Sequence, residues 1–367
     1  MKIFYSEIHF QHNPPFEIFD GGEKYPHFEA PERAERILAA LKQTDWAEIL
    51  PPEDFGLDPI LAVHDADYID FLRSAYDEWM LSATDTGYEK TALLPATFPT
   101  GRRRRKPKTL LGKAGYYISD LSAPIVAGTY TAAVASANCA LSGAKALTED
   151  KGQKTVDLAQ SSRLHSSSSV FRHPSAFALC RPPGHHAGKA NCAGYCYINN
   201  AAVAANWLAK QRKTAVLDID YHAGNGTQEI FYDRADVFTI SIHADPDFEY
   251  PYYTGYADET GSGAGLGYHH NFPLPAGADN VSYNGALKDA LGLITTFGAQ
   301  YLVVSAGMDL FEGDPLGKFK VNQDGIHQIG KEIAGLKLPT LIVMEGGYNN
   351  DALGENIVSL LENFTQK

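Results

Sequence analysis

Thr214-Ala215-Val216-Leu217-Asp218-Ile219-Asp220-Tyr221-His222-Ala223-Gly224-Asn225-Gly226 reads as a strand that runs directly into chemistry. An apolar, β-type run over residues 214–217 meets acids, a histidine and a glycine-rich turn with no spacer between. On an extended chain, residues two apart project to the same side, so Asp220 and His222 can reach one metal ion while Asp218 stands behind them. Carboxylate oxygen with imidazole nitrogen suits zinc, and also other first-row divalent ions. The plainer alternative is a polar strand end with solvated acids and a glycine turn.

The same layout recurs along the chain. Apolar runs at 176–180, 237–242, 301–304 and 340–344 are each followed at once by polar residues, at 181–186, 243–247, 307–314 and 345–350. Alanine-rich helical stretches at 200–210 and 284–297 lie between several of them. Alternating β and α of this kind predicts an α/β fold, a parallel sheet with helices on both faces. Ligands of such sheets bind beyond the carboxyl ends of the strands. Five separate loops therefore bring His, Asp, Asn and Tyr side chains to one edge.

Three further motifs occupy those loops. Arg181-Pro182-Pro183-Gly184-His185-His186 carries tandem histidines after a rigid turn, a poor pattern for filling a core. Ala306-Gly307-Met308-Asp309 offers a candidate third metal ligand. Glu345-Gly346-Gly347-Tyr348-Asn349 lets the backbone approach a ligand closely and sets Tyr348 on a turn. Taken singly, the last two are weak signals.

Composition bounds the function class. With 367 residues, 44% of them hydrophobic, residues 1–367 can form one large α/β domain. The first residues lack the basic-then-apolar layout of a signal peptide. No apolar run approaches the roughly 18 residues of a membrane span. The four cysteines (Cys139, Cys180, Cys192, Cys196) suggest no disulfide framework. A soluble, cytoplasmic protein is expected, with Cys192 and Cys196 as buried thiols rather than metal ligands. A net charge of −13 repels phosphate backbones and disfavours nucleic acid, while it attracts cations.

Residues 31–42 read as an amphipathic helix. Residues 80–125 read as a long polar, irregular loop that includes the basic run Gly101-Arg102-Arg103-Arg104-Arg105-Lys106. A loop of that length in a compact domain is usually functional or ordered by a partner. Residues 161–169 read as a serine-rich surface loop.

The ordered set R-P-P-G-H-H, D-x-D-x-H-x-G-N-G-T-Q, G-x-D-x-x-x-x-D-P and E-G-G-Y resembles the histone deacetylase superfamily over nearly the whole chain. Within it, Phe28-Glu29-Ala30-Pro31, Gly115-Tyr116-Tyr117, Gly194-Tyr195-Cys196-Tyr197-Ile198-Asn199-Asn200 and Gly255-Tyr256-Ala257-Asp258-Glu259-Thr260-Gly261 are most similar to bacterial acetylpolyamine amidohydrolases. The resemblance implies the arginase-deacetylase fold, a single domain whose central parallel sheet has about eight strands flanked by helices. It implies one zinc ion on Asp220, His222 and Asp309, with Fe2+, Co2+ or Mn2+ as alternative occupants.

It further implies that His186 is the general base and later the acid, paired with Asn225, and that His185 is held charged by Asp218. Tyr348 is implied as the donor to the acetamide oxygen. Tyr195 and Tyr250 match an aromatic slot for the substrate's methylene chain, and Glu17 matches an acidic position. Where relatives carry tunnel acids this chain has Leu111 and Ser122, so Asp120 stands in as the nearby acid. A structural K+ or Na+ maps to Asp218, Asp220, His222, Ser241 and Ile242, with a second match at Phe231, Arg234 and Val237. The 80–125 segment falls where relatives carry an insertion that forms a homodimer and narrows the tunnel.

The implied substrate is a small cationic acetylated amine of the acetylputrescine, acetylcadaverine or acetylspermidine type, cleaved to amine and acetate. One departure is Ala223, where the motif usually has a second histidine; altered packing rather than lost catalysis is expected. Leu316 is apolar, as in general deacetylases, so a protein acetyl-lysine deacetylase is the alternative enzyme. A non-catalytic acetyl-amine binder is the alternative from another class. A dimanganese ureohydrolase needs extra bridging aspartates, and those are absent.

Overall fold

The computed structural model describes residues 1–19, 22–82, 90–99, 105–149 and 173–365. Of the features read above, Arg102, Arg103, Arg104 and the serine-rich stretch at 161–169 lie outside the described residues.

Strands that are apolar throughout must be covered on both faces. In chain order the strands are β1 (Lys2–Phe4), β2 (Glu17–Ile18), β3 (Lys24–Tyr25), β4 (Glu48–Leu50), β5 (Ser175–Ala178), β6 (Thr214–Asp218), β7 (Val237–Ala244), β8 (His269–Leu274), β9 (Tyr301–Ala306) and β10 (Thr340–Met344). Among the described residues eight of them form one parallel sheet in the order β4-β1-β5-β10-β9-β6-β7-β8. The short pair β2–β3 is an antiparallel ribbon apart from it. Every residue of β6, β7, β9 and β10 is buried.

The helices are α1 (Glu32–Leu41), α2 (Asp58–Leu61), α3 (Ala66–Leu81), α4 (Leu110–Tyr117), α5 (Thr129–Glu149), α6 (Asn200–Ala209), α7 (Asn225–Phe231), α8 (Asn280–Phe297), α9 (Gln323–Gly335) and α10 (Leu353–Leu361). Side chains alternate across each strand, so the sheet feeds two cores. On one face Ala176, Val216, Val303 and Val343 pack with Phe71 of α3, Leu141 of α5 and Leu208 of α6. On the other, Phe177, Leu217, Val304 and Ile342 pack with Ile37 of α1, Leu287 of α8, Ile329 of α9 and Ile357 of α10. The chain is thus a three-layer α/β domain, as expected.

One expectation needs correction. The 80–125 segment is not irregular throughout. It contains α4, whose Tyr117 ring lies 4.9 Å from Phe71 and 5.7 Å from Tyr68 on α3. It also pairs Leu93 with Ile125. Its polar composition hid the few apolar residues that anchor it. Strands β1, β4 and β8 lack a sequence signal for a related reason: the first two have three residues each, and β8 is His-His-Asn-Phe-Pro-Leu, polar at an edge.

The order β5-β10-β9-β6-β7 places the carboxyl ends of five strands side by side. The loops that follow them therefore meet. One buried histidine helps to hold this rim: His64 Nδ1–H donates to Gly188 O (2.9 Å) and Nε2 accepts the Asn199 amide (2.9 Å). Burial lowers its pKa from 6.5 to about 4. An unfolded chain therefore takes up a proton that the folded chain refuses, and stability falls as pH drops through 6.5 toward about 4. The slope from this residue is up to about 1.4 kcal/mol per pH unit. Urea unfolding of wild type and His64→Gln across that range is expected to show the steeper acid loss in wild type.

Candidate active site

The β6 loop supplies the first two side chains of the site. His222 turns Nδ1 toward two carboxylates, Asp220 Oδ1 at 3.3 Å and Asp309 Oδ2 at 3.1 Å. Asp309 arrives on the loop after β9. One ligand atom from each of the three residues lies within 4.8 Å of the others. The opposite oxygens are pinned by backbone amides, Gly346 N–H on Asp220 Oδ2 (2.8 Å) and Tyr221 N–H on Asp309 Oδ1 (3.0 Å). Glycine is required at this approach: a Cβ on Gly307 would sit 1.9 Å from Asp220 Oδ2, and one on Gly346 2.3 Å from Asp309 Oδ2.

The cluster fits a cation. Asp220 and Asp309 are fully buried, and among the described residues neither forms an ion pair with Lys or Arg. Burial pushes the Asp309 carboxyl up, and the neighbouring Asp220 charge pushes it further. Burial opposes charge on His222 too, yet the two carboxylates raise its pKa to about 10. The site thus collects positive charge where a divalent ion with oxygen and nitrogen ligands would bind.

The tandem histidines come from the loop after β5, and their rings lie 4.0 Å apart. Their partners differ. His185 Nδ1–H donates to Asp218 Oδ2 (3.0 Å), and Asp220 Oδ1 lies 3.7 Å from its Nε2. Burial works against the charged form, but the Asp220 and Asp218 charges overcome it and raise its pKa well above the usual value. His186 Nδ1–H donates to the neutral Asn225 Oδ1 at 2.6 Å. Burial, then the charges of His185 and His222, hold His186 well below the usual value. Depth of burial is the largest of these causes. The result is one charged and one neutral imidazole, side by side, and the neutral one keeps Nε2 as a base.

Tyr348 is buried on the loop after β10. Its N–H donates to Asp314 Oδ2 (2.6 Å), its ring lies 5.5 Å from Tyr195, and the Arg33 guanidinium stands 4.8 Å from its ring centroid. Burial holds the phenol well above its usual pKa against the pull of Arg33, so it stays a hydrogen-bond donor. Tyr250 meets His186 edge-on at 4.9 Å and 89° and lies 6.1 Å from His222. The two candidate slot tyrosines therefore flank the histidines and Tyr348.

The candidate acids are engaged elsewhere. Glu17 Oε1 accepts the Phe28 amide (2.7 Å), and Oε2 accepts the Tyr195 hydroxyl (2.7 Å). Burial pushes its carboxyl up to about 7. Asp120 binds the Tyr250 hydroxyl and two backbone amides. Leu316 is partly exposed, and its amide caps Asp314 Oδ1 (2.9 Å).

At the candidate monovalent site, Asp218 and Ser241 are opposite each other in the β6–β7 register, next to Ile242. Ser241 Oγ also meets His243 Nδ1 (2.7 Å). At the second match Phe231 and Val237 are buried, and Arg234 N–H donates to Phe231 O (3.0 Å). Ala223 is buried close to the Gly255 turn, where a Cβ on Gly255 would come within 2.9 Å of its methyl group.

Sequence reading missed the scaffold beneath the loops. Arg33 is buried and donates to Gly347 O (2.6 Å), Glu345 O (2.6 Å) and Glu29 Oε1 (2.8 Å). Glu345 Oε2 accepts the amides of Gly184 (2.7 Å) and His185 (3.1 Å). The Tyr348 loop and the histidine loop are tied together in this way. A signal for Arg33 was present: it shares the buried i, i+4, i+8 stripe of α1 with Ile37 and Leu41.

A parallel α/β sheet with this candidate metal-ligand cluster, histidine pair and tyrosine at its carboxyl edge defines a deacetylase-type hydrolase. The chain belongs to the histone deacetylase domain family, which it matches over residues 27–364. It is similar to acetylpolyamine amidohydrolase 2 of Pseudomonas aeruginosa, 43% identical over 99% of this chain and 98% of that one. The acetylpolyamine amidohydrolase of Mycoplana ramosa is 42% identical over 99% of both chains. A crystal structure of the acetylpolyamine aminohydrolase from Burkholderia pseudomallei superposes with a TM-score of 0.89 at 37% identity, covering 99% of this chain and 98% of that one.

Proposed function

We propose that the protein hydrolyses the acetamide of acetylated polyamines, of the acetylputrescine, acetylcadaverine and acetylspermidine type, to free amine and acetate. The observation that carries this reading is the split between the two histidines, one held charged by Asp218 and one neutral on Asn225, beside a three-ligand cluster and Tyr348. Asp220, His222 and Asp309 would hold one divalent ion, with zinc the expected occupant. When bound, the ion supplies Lewis-acid polarisation of the carbonyl and the attacking water.

The chain's own groups do the rest. His186 Nε2 takes a proton from water as its oxygen adds to the acetamide carbon. It then returns that proton to the amine nitrogen as the C–N bond breaks. His185, kept charged, stabilises the negative charge that develops nearby. The Tyr348 hydroxyl donates to the carbonyl oxygen as it becomes an oxyanion, and Arg33 with Asp314 holds the Tyr348 loop. Tyr195 and Tyr250 enclose the methylene chain, an apolar fit for a slender substrate.

Tyr348→Phe removes only that donor. It is expected to lower kcat on N-acetylputrescine by about 10²–10³-fold with one zinc still bound per chain. Acetate assay with elemental analysis checks both parts; near-wild-type turnover contradicts the assignment.

The reading includes a homodimer through the 80–125 segment, supported by the exposure of Met80, Leu81, Phe98 and Leu111. It also includes a structural K+ or Na+ at the ends of β6 and β7, on Asp218, Asp220, His222, Ser241 and Ile242. The second monovalent match, at Phe231, Arg234 and Val237, is part of the same reading. Among the described residues no helix is long and apolar enough to cross a membrane.

A further inference from the structure

Asp120 follows α4 near the end of the 80–125 segment, outside the catalytic cluster. Its Oδ2 accepts two hydrogen bonds from two separate loops further along the chain: the Tyr250 hydroxyl (2.8 Å) and the Gly194 amide (2.7 Å). Its Oδ1 accepts the Ser122 amide (3.0 Å). A carboxylate has about four acceptor positions, so most of its capacity is committed to protein groups.

The two partners of Oδ2 both touch the histidine pair. Tyr250 packs edge-on against His186. Gly194 and Tyr195 are the central pair of a tight turn closed by Ala193 N–H to Cys196 O (3.1 Å) and Cys196 N–H to Ala193 O (2.8 Å). Both have positive φ, 48° and 67°, the signature of a type I′ turn. Tyrosine adopts that conformation reluctantly, so the turn depends on outside restraints. Two are visible: Asp120 on the Gly194 amide and Glu17 on the Tyr195 hydroxyl. The turn also lies directly on the base, since a Cβ at Gly194 would come 2.4 Å from His186 Cδ2.

We propose that Asp120 is a positioning and specificity-determining residue: it latches both aromatic walls to the 80–125 segment and so sets the width of the substrate slot. The inference deepens the amidohydrolase reading and rests on it. It gives Asp120 a different role from the stand-in tunnel acid of the sequence reading.

The test compares cationic N-acetylputrescine with its neutral counterpart N-butylacetamide, using zinc-loaded wild type, Asp120→Ala, Tyr250→Phe and the double variant. A latch acts on both substrates alike. KM is expected to rise about tenfold for each, with kcat within a few-fold of wild type. The double variant is expected to lose little more than Asp120→Ala alone, because that substitution already cuts the Tyr250 link along with the Gly194 one. Tyr250→Phe keeps the ring and guards against a folding artefact in Asp120→Ala.

A loss confined to the cationic substrate overturns the latch in favour of direct ammonium recognition. Additive losses, unchanged KM, or a fall confined to kcat also overturn it. Those outcomes leave the amidohydrolase reading standing. Wild type inert on both compounds contradicts that reading, and the latch falls with it.

Discussion

Replacing His186 by alanine is expected to lower kcat on N-acetylputrescine by about 10²–10⁴-fold while zinc content stays at one per chain. The reason lies in the two imidazole environments. His185 faces Asp218 and Asp220, and their charges hold its proton against burial. It cannot accept one at neutral pH. His186 has its Nδ1–H fixed on Asn225 and is kept neutral by burial and by the charges of His185 and His222. It is the imidazole able to take a proton from water.

The sign of the pH dependence follows. In the proposed mechanism the active form has neutral His186, whose pKa is held well below 6.5, so kcat/KM is expected to rise with pH on the acid side and to be level at neutrality. Asn225→Asp places a carboxylate on the same Nδ1–H. It raises the pKa and is expected to move the acid limb of kcat/KM to higher pH. A pH profile measured on both proteins checks this, and an unmoved limb points to a different base.

The second large effect concerns the ligands. Asp220→Ala is expected to reduce bound zinc below one per chain and to lower acetate release by on the order of 10³-fold or more. Asp309→Asn adds a less obvious result. In the metal-free chain two buried carboxylates face each other, and the Asp220 charge makes ionised Asp309 costly. Removing one charge relieves that repulsion, so metal-free Asp309→Asn is expected to melt no lower than metal-free wild type. Adding zinc then raises Tm in wild type and not in the variant. Calorimetry with and without a chelator reads both. A zinc-dependent rise in the variant contradicts the role of Asp309.

Much of this site was legible in local sequence. The layout of an apolar run followed at once by polar residues located five strands, and the sheet order placed their ends together. Spacing by two in Asp218-Ile219-Asp220-Tyr221-His222 put the candidate ligands on one side, with Asp218 behind them against His185.

Long-range pairing was not legible. Arg33 is 314 residues from the Gly347 carbonyl it holds, and no local pattern links them. Glu345 was read as part of a turn, but its carboxylate reaches the histidine loop 160 residues away. Helix α5 is buried around most of its circumference, so it lacks the amphipathic stripe that reveals surface helices. Asp120 was recognised as an acid near the slot, but its partners are set by tertiary contacts alone.

The most direct test is acetate release by zinc-loaded protein from N-acetylputrescine, N-acetylcadaverine and N-acetylspermidine, set against acetyl-lysine peptides. Substantially higher kcat/KM on the acetylated polyamines is the predicted result. Equal or better activity on the peptides contradicts the polyamine assignment, and binding of these amines without acetate release contradicts the hydrolase itself.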